Sequence, residues 1–364
     1  MNKIRLLLVD DSSFIRQVLS RLLSADPDLE VVATAANGRL ALSRLSDAQP
    51  DVVILDVEMP EMNGIETLAA LRKSHPHLPV IMYSTLTRPG VRATIDALLL
   101  GANDYATKPE KRELVEHSIH ESLIPKIKLH AAARRGDAAI GAGRQPAPLG
   151  HAQVSRPVPP VDRLTPRPRV EAIVIAASTG GPSALARLFC DLPENLPVPI
   201  LIVQHMPPEF TNHLAYRLSS QGNCVVREAV ANEFVSGSRG WIAPGDFHMT
   251  VKRIAGMVRA QLNQDPPVNA CRPAADVLFE SAAEVFGSGV LAVVLTGMGQ
   301  DGREGCESIR RAGGGILVQD QASSVVWGMP GAVARSGLAD QVLPIGGLAA
   351  EIVRRVRVGR GETG

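Results

Sequence analysis

Ser178, His205 and Asp301 each stand just beyond a short apolar run, in EAIVIAAS, VPILIVQH and GVLAVVLTGMGQD. Several aliphatics without alternation, ended by Gly or a polar residue, predict a buried parallel strand. Ligands of open α/β sheets bind outside the carboxyl ends of such strands. A nucleophile, a base and an acid would meet on one edge, and the chemistry they could do is Ser-His-Asp hydrolysis. Ser178 opens a tight turn, STGGP, before the helical pattern SALARLF. Its hydroxyl would stand at a helix N-terminus, where developing negative charge is favoured. The α/β-hydrolase elbow G-x-S-x-G is not met, because Ala176 holds the first Gly position, and the chain order Ser, His, Asp differs from that of the well-known triads. His213 and His248 end no apolar strand and are weaker candidates for the base.

Gly297-Met298-Gly299-Gln300-Asp301-Gly302 also satisfies G-x-G-x-x-G, and Asp320 lies where a ribose-binding acid would. Asp301 argues against that dinucleotide reading, since it puts a carboxylate where a pyrophosphate would sit. The reading also leaves Ser178 and His205 unexplained.

A second acidic group lies near the N-terminal end. Asp10 and Asp11 follow the run KIRLLLV, and Asp56 ends DVVILD. In a doubly wound sheet those strands are neighbours, so three carboxylates converge. Like charges at that range call for a cation, and Mg²⁺ suits oxygen ligands. Lys108 and Ser84 end two further strands and reach the same pocket.

These residues need elements to place them. Residues 1–130 alternate strand and helix patterns as five βα units, which predicts a doubly wound parallel sheet. Residues 131–169 hold seven prolines and no apolar period, and are expected to be a flexible linker. From 170 to 360 strands and helices alternate again, and the stretch GWIAPGDFHMTVKRIAGMVRAQL predicts antiparallel hairpins on one sheet edge. The expected fold class is α/β with two doubly wound parallel-sheet domains, flavodoxin-like then Rossmann-like, the second with an antiparallel edge.

Composition narrows the function. A net charge of +1 and 3% aromatics give no case for nucleic acid. Four scattered cysteines form no CxxC pair, which favours a reducing, cytoplasmic setting. MNKIRLLLVDD does not read as a signal peptide, and no run approaches the ~20 apolar residues of a membrane span.

Two resemblances follow. The Asp10-Asp11 pair, Asp56-x-x-Met59-Pro60, Ser84 and Lys108-Pro109 together resemble the response-regulator receiver domain. This implies that Asp56 accepts a phosphoryl group from a sensor histidine kinase. Asp10, Asp11, Asp56 and the Glu58 carbonyl would hold Mg²⁺, Ser84 and Lys108 would contact the phosphoryl oxygens, and Tyr105 would follow the switch. AASTGGP, QHMPPEFT, RPAADVLF, LTGMGQDG and WGMPGAVA, in this order, resemble the chemotaxis protein-glutamate methylesterase/glutaminase family. That resemblance implies Ser178 as nucleophile, His205 as base and then acid, and Asp301 as its orienting carboxylate. Thr179 would help fix His205, and the Met298 N–H would face the oxyanion, with no cofactor in the catalytic domain. The implied substrates are methylated glutamates and specific glutamines of chemoreceptor cytoplasmic domains. One departure stands out: members often carry His-Arg-Pro-Ser where this chain has Cys271-Arg272-Pro273-Ala274. The alternative is a response regulator whose second domain only binds a partner.

Overall fold

The computed structural model describes residues 3–109, 115–135 and 169–358. The first unit runs β1 (Ile4–Val9), α1 (Ser13–Ser24), β2 (Leu29–Ala35), α2 (Gly38–Ala48), β3 (Val52–Asp56), α3 (Gly64–Ser74), β4 (Val80–Ser84), α4 (Arg88–Leu99) and β5 (Asp104–Thr107). Its sheet is parallel with order β2-β1-β3-β4-β5. The apolar runs VVILD and VIMYS are buried throughout, as strands covered by helices on both faces require. Short polar residues start the helices: Ser12 accepts from the Ile15 N–H, and Asn63 and Glu66 form a reciprocal capping box.

α5 (Val115–Ser118) passes through a π-helical turn (Ile119–Leu123) into α6 (Ile124–Arg135). The helix continues five residues past the expected linker start at 131. Ala131 and Ala132 are buried, and Arg134 donates to the Pro50 carbonyl, so these residues belong to the packed unit. Most of the expected linker, residues 136–168, lies outside the described residues.

The second unit contains β6 (Ala172–Ala177), α7 (Gly181–Asp191), β7 (Ile200–Gln204), α8 (Pro208–Gln221), β8 (Val225–Glu228), β9 (Arg239–Ile242), β10 (His248–Ile254) and β11 (Met257–Asn263). It continues with α9 (Ala275–Phe286), β12 (Val290–Val294), α10 (Arg303–Arg311), β13 (Gly315–Gln319), α11 (Met329–Arg335), β14 (Gln341–Leu343) and α12 (Ile345–Val358). Seven strands pair in parallel in the order β14-β13-β12-β6-β7-β9-β8. The expected antiparallel strands are present as a small sheet. β9 pairs parallel with β7 and β8, while β10 and β11 form a separate antiparallel hairpin packed on α9.

The two units pack together. α4 lies against α7 and α8, and one apolar cluster runs from Val91, Ile95 and Leu98 to Leu185 and Leu188. Tyr105 stacks on Phe210 with ring centroids 4.7 Å apart, Ser183 Oγ donates to the Leu98 carbonyl at 2.6 Å, and Arg217 pairs with Asp96 at 2.8 Å.

Candidate active site and phosphoacceptor pocket

β6, β7 and β12 are consecutive in the sheet, so their carboxyl ends bring Ser178, His205 and the 295–302 loop together. The His205 N–H donates to the Ala177 carbonyl, and the Ser178 N–H to the Thr296 carbonyl, at 3.1 and 3.0 Å. Gln204 Nε2 donates to the Ser178 carbonyl and fixes the turn from a third side. Gly180 completes that turn at φ +75°, a left-handed conformation that disfavours a side chain. Gly297 serves close approach: a Cβ there would lie 2.8 Å from Ser178 Cβ and 2.4 Å from Met329 Sδ.

His205 Nε2 lies 2.7 Å from Asp301 Oδ2. Asp301 is fully engaged. Oδ2 also accepts the Ala275 N–H, and Oδ1 accepts from the Asp276 N–H and Asn269 Nδ2. A carboxylate with so many donors stays anionic, so in the neutral imidazole the proton belongs on Nε2 and the lone pair on Nδ1. Burial raises the Asp301 pKa, but His205 and the two amides outweigh it and hold the acid below its ordinary value. Burial works to lower the His205 pKa, yet the contacts with Asp301 and Cys271 prevail and raise it to about 9. Behind the pair, Asp276 is pushed up to about 6, by burial first and by the Asp301 charge, against a hydrogen bond from Gly305.

Other expected residues fall as follows. Among the described residues Ser178 Oγ has no hydrogen-bond partner, and no bond joins it to His205. Thr179 meets Thr296, whose hydroxyl donates to the Thr179 carbonyl, and no bond from Thr179 to His205 is present among the described residues. Met298 is half exposed, and its N–H donates to no protein group among the described residues, as an oxyanion donor requires. Asp320 caps its own loop by accepting from Ser323 N and Oγ, which leaves little for a ribose. Arg272 is held inside the protein by Asp246 and the carbonyls of Gln264 and Asp265. His248 is buried between the Ala274 N–H and the Pro266 carbonyl. Asn269 and Asp276, which brace Asp301, were not singled out from sequence. Their only signal was a pair of polar residues flanking a helix start.

In the first unit the Asp10, Asp11 and Asp56 carboxylates lie within 4.8 Å of one another. Lys108 Nζ contacts Asp10 and Asp56 at 2.8 and 2.7 Å. Burial raises the Asp56 pKa to about 6, with Asp10 adding to it and Lys108 opposing. Three convergent carboxylates are a hard-oxygen donor set that fits Mg²⁺. Glu58 and Asp11 line the adjoining cleft of about 460 Å³. Ser84 Oγ donates to nearby carbonyls of Thr85 and Gly90.

The comparisons agree with this architecture. A family model for the CheB methylesterase matches residues 173–352, and one for the response regulator receiver domain matches residues 6–120. A protein of Trichodesmium erythraeum named protein-glutamate methylesterase/protein-glutamine glutaminase is 47% identical over 98% of this chain and 100% of its own length. A Nocardioides protein of the same name is 50% identical, over 98% and 96%. Among solved structures, the Thermotoga maritima CheB methylesterase catalytic domain is 42% identical with a TM-score of 0.50, covering 51% of this chain and 98% of that one. With the matched units in the same order and nearly whole-length relatives, the chain belongs to the family of CheB methylesterases that carry a response regulator receiver domain.

Proposed function

We propose that this protein hydrolyses glutamate γ-methyl esters on chemoreceptor cytoplasmic domains, and deamidates specific glutamines there, through Ser178, His205 and Asp301. The observation that carries the reading is the 2.7 Å His205–Asp301 pair at the end of β7, one strand from the Ser178 turn. Ser178 Oγ attacks the ester carbonyl while His205 Nδ1 takes its proton. The Oγ–C bond forms and the carbonyl electrons move to oxygen, which faces the Met298 N–H. On collapse the C–OCH₃ bond breaks, and methanol leaves with the proton from His205. Water, deprotonated by His205, then attacks the acyl-enzyme and returns Ser178 and the free glutamate. A glutamine releases ammonia by the same route, and depends more on His205 as acid because an amine leaves poorly unprotonated.

Regulation is proposed to run through Asp56, phosphorylated by a sensor histidine kinase. Mg²⁺ held by Asp10, Asp11, Asp56 and the Glu58 carbonyl would neutralise charge on the transferring phosphoryl group. Lys108 and Ser84 would contact its oxygens, at the cost of the present Lys108–Asp10 pairing. The position of α4 supports control by contact. It touches Ser183, in the first turn of α7, and faces Pro208 and Glu209, in the first turn of α8. Those helices issue from the Ser178 and His205 turns. We read residues 1–135 as the receiver unit, the chain before 170 as its tether, and residues 170–358 as the catalytic unit.

The test is methanol release from radiomethylated receptor membranes. Ser178→Ala and His205→Gln should each lose at least about 10³-fold in rate, the scale at which members of such a triad act as a unit. Retained release in Ser178→Ala would favour the binding-only alternative or a different nucleophile.

A further inference from the structure

Nδ1 of His205, the nitrogen not taken by Asp301, makes no hydrogen bond with Ser178 among the described residues. It lies 3.6 Å from Cys271 Sγ. With Nε2–H committed to Asp301, the Nδ1–H of the imidazolium donates to Sγ, and that contact favours the cation. The nitrogen that must take the serine proton is therefore engaged by a different side chain, while Ser178 Oγ is unpartnered among the described residues.

The thiol is held there by its loop. Val268 and Cys271 exchange backbone hydrogen bonds at 3.1 and 2.9 Å. Between them Asn269 and Ala270 both take positive φ, 52° and 59°, a left-handed pair that costs energy without glycine. The same turn sends Asn269 Nδ2 to Asp301 and Asp276, at 3.2 and 2.8 Å. His248 pins both ends of the loop, through the Pro266 carbonyl and the Ala274 N–H. A strained backbone held this firmly positions what it carries.

We propose that Cys271 is a positioning residue for the hydrolysis: its thiol holds the base nitrogen of His205, and Ser178 gains that base only when the contact gives way. The titratable groups facing His205 are Asp301 from the loop after β12 and Cys271 from the loop before α9. Asp276 on α9 stands one hydrogen bond further back. Glu209 and His213 on α8 and Arg88 on α4 line a separate interdomain cavity of about 350 Å³. The contact with Cys271 is one of the influences that keep the imidazole protonated to high pH.

The inference rests on hydrolysis through Ser178, so full-length Ser178→Ala is run in the same assay. kcat/KM for methanol release from radiomethylated receptor membranes is followed from pH 6 to 10. Cys271→Ala and Cys271→Val, which lack an acceptor for Nδ1–H, should move the acid limb down by about one unit and raise kcat/KM at pH 7 by up to about tenfold. Valine keeps the volume should alanine leave the loop unfolded. Cys271→Ser keeps an acceptor oxygen and should lie between valine and wild type. A uniform loss with an unmoved limb would overturn the role of Cys271 and leave the triad standing, as would serine shifting as far as valine. Activity in Ser178→Ala would overturn both readings.

Discussion

His205 carries a large electrostatic commitment in the second unit. Its folded pKa of about 9 lies above the 6.5 of a free imidazole. A raised value stabilises the fold most below pH 6.5, and the contribution disappears as pH rises through about 9. The shift corresponds to roughly 3 kcal/mol. The depressed Asp301 describes the same interaction and is not added to it. Denaturant unfolding of wild type against His205→Gln should show an advantage at pH 6 that fades by pH 10; a constant difference would refute the ion pair. The positions of Ser178 and His205 were legible because each stands just beyond an apolar run. The Cys271–His205 contact was not, because it depends on a left-handed turn at Asn269 and Ala270, a conformation that alanine does not announce.

At the scale of elements, the site depends on how closely the turn after β12 approaches the turn after β6. Gly297→Ala would push a Cβ against Ser178 Cβ and Met329 Sδ. Thermal unfolding should show a loss of about 1–3 kcal/mol, the usual cost of overpacking. Initial-rate kinetics should show kcat falling more than KM, since the nucleophile is displaced more than the substrate surface. An unchanged kcat would mean that the two turns are free to separate. The parallel strands were readable from their hydrophobic runs. The place of β9 was not, because GWIAP sits beside a true hairpin in sequence and only the register Ile200↔Gly240 puts it in the large sheet. The end of α6 was missed for a related reason. AAARR has no apolar period, yet alanine at 131 and 132 suffices where the helix packs closely.

At the scale of the whole molecule, the interface between α4 and the helices α7 and α8 joins the unit that carries Asp56 to the unit that carries Ser178 and His205. Tyr105 lies on β5, three residues before Lys108, and stacks on Phe210, so it touches both units. Tyr105→Ala should loosen the contact and raise basal release several-fold without phosphodonor; a rate at or below wild type would argue that the stack does not restrain the site. Arg217→Ala should do less, because Arg217 and Asp96 are both partly open to solvent and such pairs contribute about 0–1 kcal/mol. The most direct test of the central claim is methanol release by the full-length protein, with and without a small phosphodonor and Mg²⁺, beside Ser178→Ala and Asp56→Asn. Release that rises on phosphorylation, needs Ser178 and stays at the basal rate in Asp56→Asn is the predicted result. Wild-type release that phosphodonor leaves unchanged, or that persists without Ser178, would contradict a phosphorylation-gated serine hydrolase.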